Sequence, residues 1–131
     1  MLYSLVAPWL ASNKVDDAYA ALERGDAAAA VSDARSAHDL NPAAIDPLVV
    51  WAQAERIRGD EAAAGRLYTR AIATQPDNWR TWFNRARFLH SIDGAGAALF
   101  DAKQAAKRDP LGAAGAYAAF VEKELGRSTS R

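Results

Sequence analysis

Four of the five prolines in this 131-residue chain fall on one period: Pro8, Pro42, Pro76 and Pro110 follow one another at intervals of 34 residues. Proline lacks a backbone N–H and clashes with the preceding turn, so it ends or kinks helices. A stop recurring at that interval confines the chain to a row of similar units. The middle unit, residues 45–78, shows the plan most fully. Its two helical patterns are separated by Gly59-Asp60 and closed by Pro76, with Trp51, Ala52, Ala64, Tyr68 and Ala71 along an apolar seam.

The same punctuation recurs on either side. In residues 11–44, Ser12 is placed to cap a helix running to Arg24, and Gly25 to end it. Asp26 then caps a second helix that runs to Leu40 before Asn41-Pro42. In the middle unit Asp46 is the expected cap, with Pro47 at the first helical position, where its missing N–H costs nothing. Asp60 caps that unit's second helix. The third unit, residues 79–112, has Asn78 as its cap and Asp93-Gly94 as its break. That order reverses the Gly-Asp of the other two, so this turn is expected to differ.

Aligning the units brings small residues into columns: Ala18, Ala52 and Ala86; Ala30, Ala64 and Ala98; Ala37, Ala71 and Ala105. Paired helices approach closely at such positions, and a larger side chain would push the backbones apart. Leu48, Trp51, Tyr68, Ile72, Trp82, Phe83, Leu89 and Leu99 are the large packers around them. A helix–turn–helix unit of this length is the signature of the tetratricopeptide repeat, and residues 11–112 resemble that family. The resemblance implies an all-α fold, a right-handed superhelical stack of three helix hairpins with repeats at 11–44, 45–78 and 79–112. A C-terminal capping helix over 113–126 follows, with Phe120 where the other units have alanine, as a terminal helix allows. Residues 127–131 read as a disordered tail. Asp17 and Arg85 stand where the middle unit has Trp51, and Ala34 where it has Tyr68. The middle repeat is therefore expected to nucleate the stack, and Arg85 to reach solvent along its apolar stem.

Residues 1–10, MLYSLVAPWL, are nearly all apolar. They fall short of the roughly 20 residues that span a bilayer and lack the basic start and cleavage site of a signal peptide. In one reading they are the end of a helix covering the first repeat, with Pro8 in register. In the other they mark a membrane exit, since Tyr3 and Trp9 are residue types that favour the lipid–water interface. Leu2, Tyr3, Leu5, Val6, Trp9 and Leu10 offer more apolar surface than one repeat edge needs, so a weak homodimer is expected as a side effect of packing.

Catalytic chemistry has no foothold. The absence of cysteine excludes disulfides, thiolate metal sites and cysteine nucleophiles. His38 and His90 lie in no metal-ligand spacing and read as surface residues, so no metal site and no cofactor are expected. Gly94-Ala95-Gly96 lacks the following Lys-Ser/Thr and the preceding strand of a phosphate loop. Asp16-Asp17 and Asp60-Glu61 are adjacent in sequence and point in different directions on a helix, so neither is an acid/base pair. The serines lack a nucleophile elbow. The chain reads as a non-enzyme.

A binding surface is the stronger reading. In the family that the chain resembles, ligands lie along the concave face made by the first helix of each repeat. Carried over, that face is lined by Val15, Tyr19 and Leu22, then Val49, Gln53 and Arg56. Phe83, Asn84, Arg87 and His90 follow, with Arg80 at the rim. Arg80, Asn84 and Arg87 are spaced i, i+4, i+7 and share one side of their helix. At the five places of the family's chaperone-tail carboxylate clamp this chain has Val15, Tyr19, Val50, Arg80 and Asn84. Only Arg80 keeps the required charge, so that ligand is not expected.

The 16 basic and 16 acidic residues balance, which disfavours nucleic acid. They are unevenly spread: residues 11–44 carry three basic and six acidic groups, net −3, and residues 79–112 carry six and three, net +3. A non-catalytic scaffold for a protein or peptide partner, acidic near Arg80 and Arg87, is the expectation, with head-to-tail contact between copies beside it. A looser resemblance, over the first third, is to the segment joining the last membrane helix to the repeat tail in bacterial O-antigen ligase-like glycan polymerases. It implies a soluble tail that assists assembly of a polytopic transferase and holds none of its catalytic residues. A cytoplasmic or membrane-tethered location follows.

Overall fold

The computed structural model describes residues 2–131, with side chains from residue 6 onward. The readings placed on Leu2, Tyr3 and Leu5 therefore lie outside the described side chains. The described residues form seven α-helices and no strand. They divide into two compact units, Met1–Thr74 and Gln75–Arg131.

The first unit holds α1 (Leu2–Glu23), α2 (Ala27–Leu40), α3 (Asp46–Ile57) and α4 (Glu61–Thr74). Here α1 packs on α2 and α3 on α4 as two hairpins, joined through α2 against α3 and α1 against α3. Ala18, Ala34 and Val50 form one buried cluster with Leu22 and Trp51 against it. Ala21, Ala30, Val31 and Ala54 form another. The second unit holds α5 (Trp79–Asp93), α6 (Ala95–Arg108) and α7 (Ala113–Thr129). Its α5 and α6 pair as a hairpin, and α7 lies against α6 and touches α5. Ala86, Ala95, Ala98, Ala102, Ala118 and Val121 make its core.

All nine column alanines are buried, none more than 1% exposed. A buried methyl(ene) contributes only about 0.8 kcal/mol. These positions therefore stabilise the hairpins mainly by letting backbones approach, so that neighbouring Leu48, Val50 and Tyr68 can be buried.

The turns follow their punctuation. At the α1–α2 turn Gly25 has φ +76°, its amide donates to the Leu22 carbonyl (2.9 Å), and the Asp26 amide donates to Ala21 (2.8 Å). The α3–α4 turn repeats this, with Gly59 at φ +86°, bonded to Arg56 (3.0 Å), and Asp60 bonded to Glu55 (2.9 Å). This is the paired carbonyl closure that a left-handed glycine permits. The Asp26 carboxylate then accepts from the Ala29 amide (3.0 Å), and Asp60 from Ala63 (2.9 Å). Asn78 caps α5 by accepting from the Arg80 amide (3.0 Å). The α5–α6 turn does differ. Gly94, at φ +83°, donates to the His90 carbonyl (3.0 Å) and is itself the residue before α6, with no side-chain cap.

Three local expectations are corrected. Ser12 caps nothing, because α1 runs unbroken from Leu2 with Pro8 inside it. Pro8 lies on the exposed side of the helix, where water can serve a carbonyl left without a donor. Asp46 is the first residue of α3 and not its cap; Ile45 precedes it with no side-chain cap bond. Finally, α7 continues through Thr129, beyond the 126 expected, and the Thr129 hydroxyl donates back to the Leu125 and Gly126 carbonyls (3.3 and 3.1 Å).

Candidate functional site

The candidate surface is built on α5. Arg80, Phe83, Asn84, Arg87 and His90 recur at intervals of three and four, which puts them along one stripe of a helix. The structure fills that stripe with aromatic rings and lays guanidiniums over them. Trp79 and Phe83 meet edge to face at 5.4 Å between ring centres, and Phe83 meets Tyr117 of α7 at 5.3 Å. Arg80 lies 5.7 Å from the centre of the Trp79 ring, and Arg87 lies 5.6 Å from that of Phe83. Cations over aromatic faces are held by the ring quadrupole, worth about 0.5–1 kcal/mol at exposed sites. The two arginines are thereby presented to solvent in set positions.

His90 closes the row. One ring nitrogen, Nδ1, is 2.9 Å from the Tyr117 hydroxyl, and Nε2 is 3.1 Å from the Glu124 carboxylate. An ionised carboxylate only accepts, so Nε2 carries the hydrogen; in the neutral ring Nδ1 then accepts from Tyr117 O–H. Burial pushes the Tyr117 phenol above its usual range, with the Arg87 charge pulling the other way and Glu124 adding to the rise. Arg87, His90, Ser91 and Tyr117 line an open cavity of about 350 Å³. Phe120, one turn along α7, stacks on Tyr117 at 6.4 Å and is 55% exposed.

Of the expected face, the second unit thus gathers Arg80, Phe83, Arg87 and His90, with Asn84 half-buried on the same helix. Within the first unit, Gln53 and Arg56 stay at least partly accessible, and Tyr19 is 37% exposed. Burial raises the Tyr19 phenol, and nearby Asp46 and Tyr68 raise it further. Val49 is corrected: it is 7% exposed and belongs to the core. The cause is the position of α3, which is packed by α1, α2 and α4, so Pro47, Leu48, Val49, Val50, Ala52 and Ala54 are all buried. Leu22 likewise packs into the core clusters, while Val15 is half-buried. Val50, one of the clamp places, is fully buried.

Two further residues are corrected. Arg85 does not simply reach solvent: Nε and Nη2 donate to both oxygens of Asp101 on α6 at 2.6 and 2.9 Å, and Asp101 is 2% exposed. That bond holds the Arg85 guanidinium above its usual pKa, against the opposing effect of burial. His38 is not a surface residue; it is 8% exposed, and its Nδ1 meets no hydrogen-bond partner. Burial first, and then the Arg70 charge, lowers its pKa, against a smaller rise from Asp39. Sequence reasoning misses Tyr117, Glu124 and Asp101, since each acts through a partner at least 16 residues away. Among the described residues no cluster of His, Cys, Asp and Glu is arranged to hold a metal ion.

A tetratricopeptide-repeat family model matches residues 67–100, one full period of the chain. No curated protein matches the chain in sequence. Among solved structures, the first TPR of Spaghetti (RPAP3) bound to the HSP90 peptide SRMEEVD is similar with a TM-score of 0.75. It is 14% identical, covering 91% of this chain and 98% of that one. The Arabidopsis OM64 TPR domain has a TM-score of 0.73 and 20% identity, covering 93% of this chain and 98% of that one. A Thermobaculum terrenum O-GlcNAc transferase matches 80% of this chain with 20% of its own length, at a TM-score of 0.66 and 17% identity. The resemblance to O-antigen ligase-like polymerases finds no support in these comparisons. The family match spans one period of the chain, and the fold is shared with TPR domains over 91% of its length.

Proposed function

We propose that the chain is a non-catalytic protein-interaction scaffold that binds an acidic protein or peptide segment across the α5–α7 surface. The observation that carries this reading is the aromatic row with Arg80 and Arg87 lying over it. Aromatic rings supply contact area at small conformational cost, and guanidiniums pair with carboxylates through two parallel donors. The Spaghetti (RPAP3) domain, of the same fold, was solved with a peptide bound, which supports a peptide as the class of ligand. The altered clamp places argue for a different peptide from the chaperone tail.

The test uses a fluorescent Asp/Glu-rich peptide carrying one aromatic residue, and its Lys/Arg-rich counterpart. The acidic probe is expected to bind and the basic one not. Arg80→Glu with Arg87→Glu is expected to abolish binding while leaving the melting temperature near the parent value, because exposed charges contribute little to stability. A double variant that binds the acidic probe as well as the parent does would remove the basis for this surface.

One observation favours a second reading. Val6, Trp9 and Leu10 are 44, 62 and 40% exposed along α1, an apolar ridge suited to a lipid–water boundary or a second copy. On that reading the chain is the repeat tail of a larger membrane protein. No helix among the described residues is long and apolar enough to cross a membrane.

A further inference from the structure

The first unit has a cavity that the α5–α7 surface does not involve. It measures about 440 Å³ and is walled by α2, α3 and α4. Three arginines face it: Arg35 from α2, and Arg66 and Arg70, one turn apart on α4. None of the three forms an ion pair with a described residue. The two carboxylates lining the same cavity are already engaged. Glu55 accepts from the Trp51 indole (3.3 Å) and pairs with Arg58 (3.4 Å), while Asp60 caps α4 through the Ala63 amide (2.9 Å). Arg35 is held 5.1 Å from the centre of the Trp51 ring, so its guanidinium is positioned before any ligand arrives. Leu67 and Ala63 complete an apolar portion of the wall.

We propose that this cavity is a separate docking site for a phosphorylated serine or threonine on a partner protein. The choice of anion follows from counting charges and acceptors. Three cations without carboxylate partners, converging from two helices, call for a compact group with several acceptor oxygens. A phosphate monoester carries nearly two negative charges at neutral pH and three acceptor oxygens. A single carboxylate offers half the charge and two oxygens, which leaves one guanidinium unmatched. A long run of acidic residues or a nucleic-acid backbone would bring further anions towards Glu55 and Asp60, which a single phosphoresidue avoids. Arginine clusters are the usual readers of such groups, since the planar fork donates to two oxygens together.

The experiment titrates the full chain with a capped pentapeptide holding one phosphoserine between neutral residues. The serine and glutamate forms of the peptide and inorganic phosphate are titrated in parallel, all followed by the Trp51 indole N–H resonance. The phosphopeptide is expected to shift that resonance and the serine form to leave it unmoved. The glutamate form is expected to bind about tenfold more weakly, the size of one charged hydrogen bond. Arg66→Gln with Arg70→Gln, both exposed residues, is expected to weaken the phosphopeptide by at least about tenfold, and Arg35→Gln, on another helix, to do likewise. Arg80→Glu with Arg87→Glu is expected to leave it unchanged, so this test and that of the α5–α7 surface fail separately. Equal binding of the glutamate peptide would make the cavity a carboxylate site and overturn the proposal. So would inorganic phosphate binding as tightly as the peptide, or a phosphopeptide that leaves the Trp51 resonance in place.

Discussion

Replacing Arg85 by methionine should cost the second unit far more than replacing its partner. The pair spans α5 and α6, with Nε–Oδ2 at 2.6 Å and Nη2–Oδ1 at 2.9 Å. Its two side chains are unequally covered, Arg85 at 23% exposure and Asp101 at 2%. Removing the guanidinium strands a carboxylate in a nearly dry site, a change that costs about 3–5 kcal/mol. Removing the carboxylate, as in Asp101→Leu, leaves an arginine that is already a quarter exposed and lies 5.7 Å from the centre of the Trp82 ring. That arginine can turn to water, so the cost falls to about 1–2 kcal/mol, near the range for a lost charged hydrogen bond. Arg85→Met with Asp101→Leu should recover most of the loss, because a buried pair exchanged for apolar groups of similar volume is often neutral. Urea unfolding of the parent, both single variants and the double variant gives the coupling energy directly. The melting temperature of Arg85→Met should fall by roughly 10–20 °C, at a few degrees for each kcal/mol. Equal costs for the two single variants, or an Arg85→Met protein within about 0.5 kcal/mol of the parent, the range of ordinary surface changes, would refute the reasoning.

Ala64→Leu, at a fully buried contact, should destabilise the first unit by about 1–3 kcal/mol through overpacking; an unchanged melting temperature would mean that the repeat register is wrong. Because burial and Arg70 hold the His38 pKa below 6.5, the unfolded chain takes up the proton first as pH falls. Its contribution to stability is therefore complete above pH 6.5 and declines below it, so His38→Gln should flatten the acid side of a melting-temperature profile; parallel profiles would sink the idea. Deleting residues 1–10 removes buried Ala7 along with exposed Val6, Trp9 and Leu10, and should both lower the melting temperature and reduce light scattering from self-association. A truncated protein that melts as the parent does yet turns from dimer to monomer would instead favour the membrane-exit reading.

What could be read from sequence was local. Asp26, Asp60 and Asn78 accept from amides two or three residues away, and a residue type at a fixed offset is enough to see that. The alanine columns were legible because repetition sampled one packing requirement three times, with the same answer. Val49 was misplaced because a helical wheel shows which residues share a face, not how many helices surround it. Arg85 was misread for a similar reason: its partner Asp101 is 16 residues away on the next helix. The α7 half of the candidate surface rests on contacts between helices far apart in sequence, which the repeat pattern does not show. Tyr117 meets His90 across 27 residues, and Glu124 meets it across 34.

The uncapped turn at Gly94 bears on the order in which the hairpins are made during synthesis. The hairpins α1–α2 and α3–α4 each carry a closing turn and an Asp cap completed within a few residues of the bend. A nascent chain can fold them as soon as the second helix emerges, since contacts close in sequence form at little loop-closure cost. The α5–α6 hairpin lacks that local cap, and its strongest charged tie, Arg85 to Asp101, awaits the arrival of residue 101. Translation thus delivers two early-forming hairpins before the third, whose closure depends on a longer-range ionic bond. During that interval Trp82 and Phe83 have left the ribosome without their partners Phe100 and Tyr117. That interval is when the nascent chain offers its most adhesive surface to chaperones or to neighbouring copies.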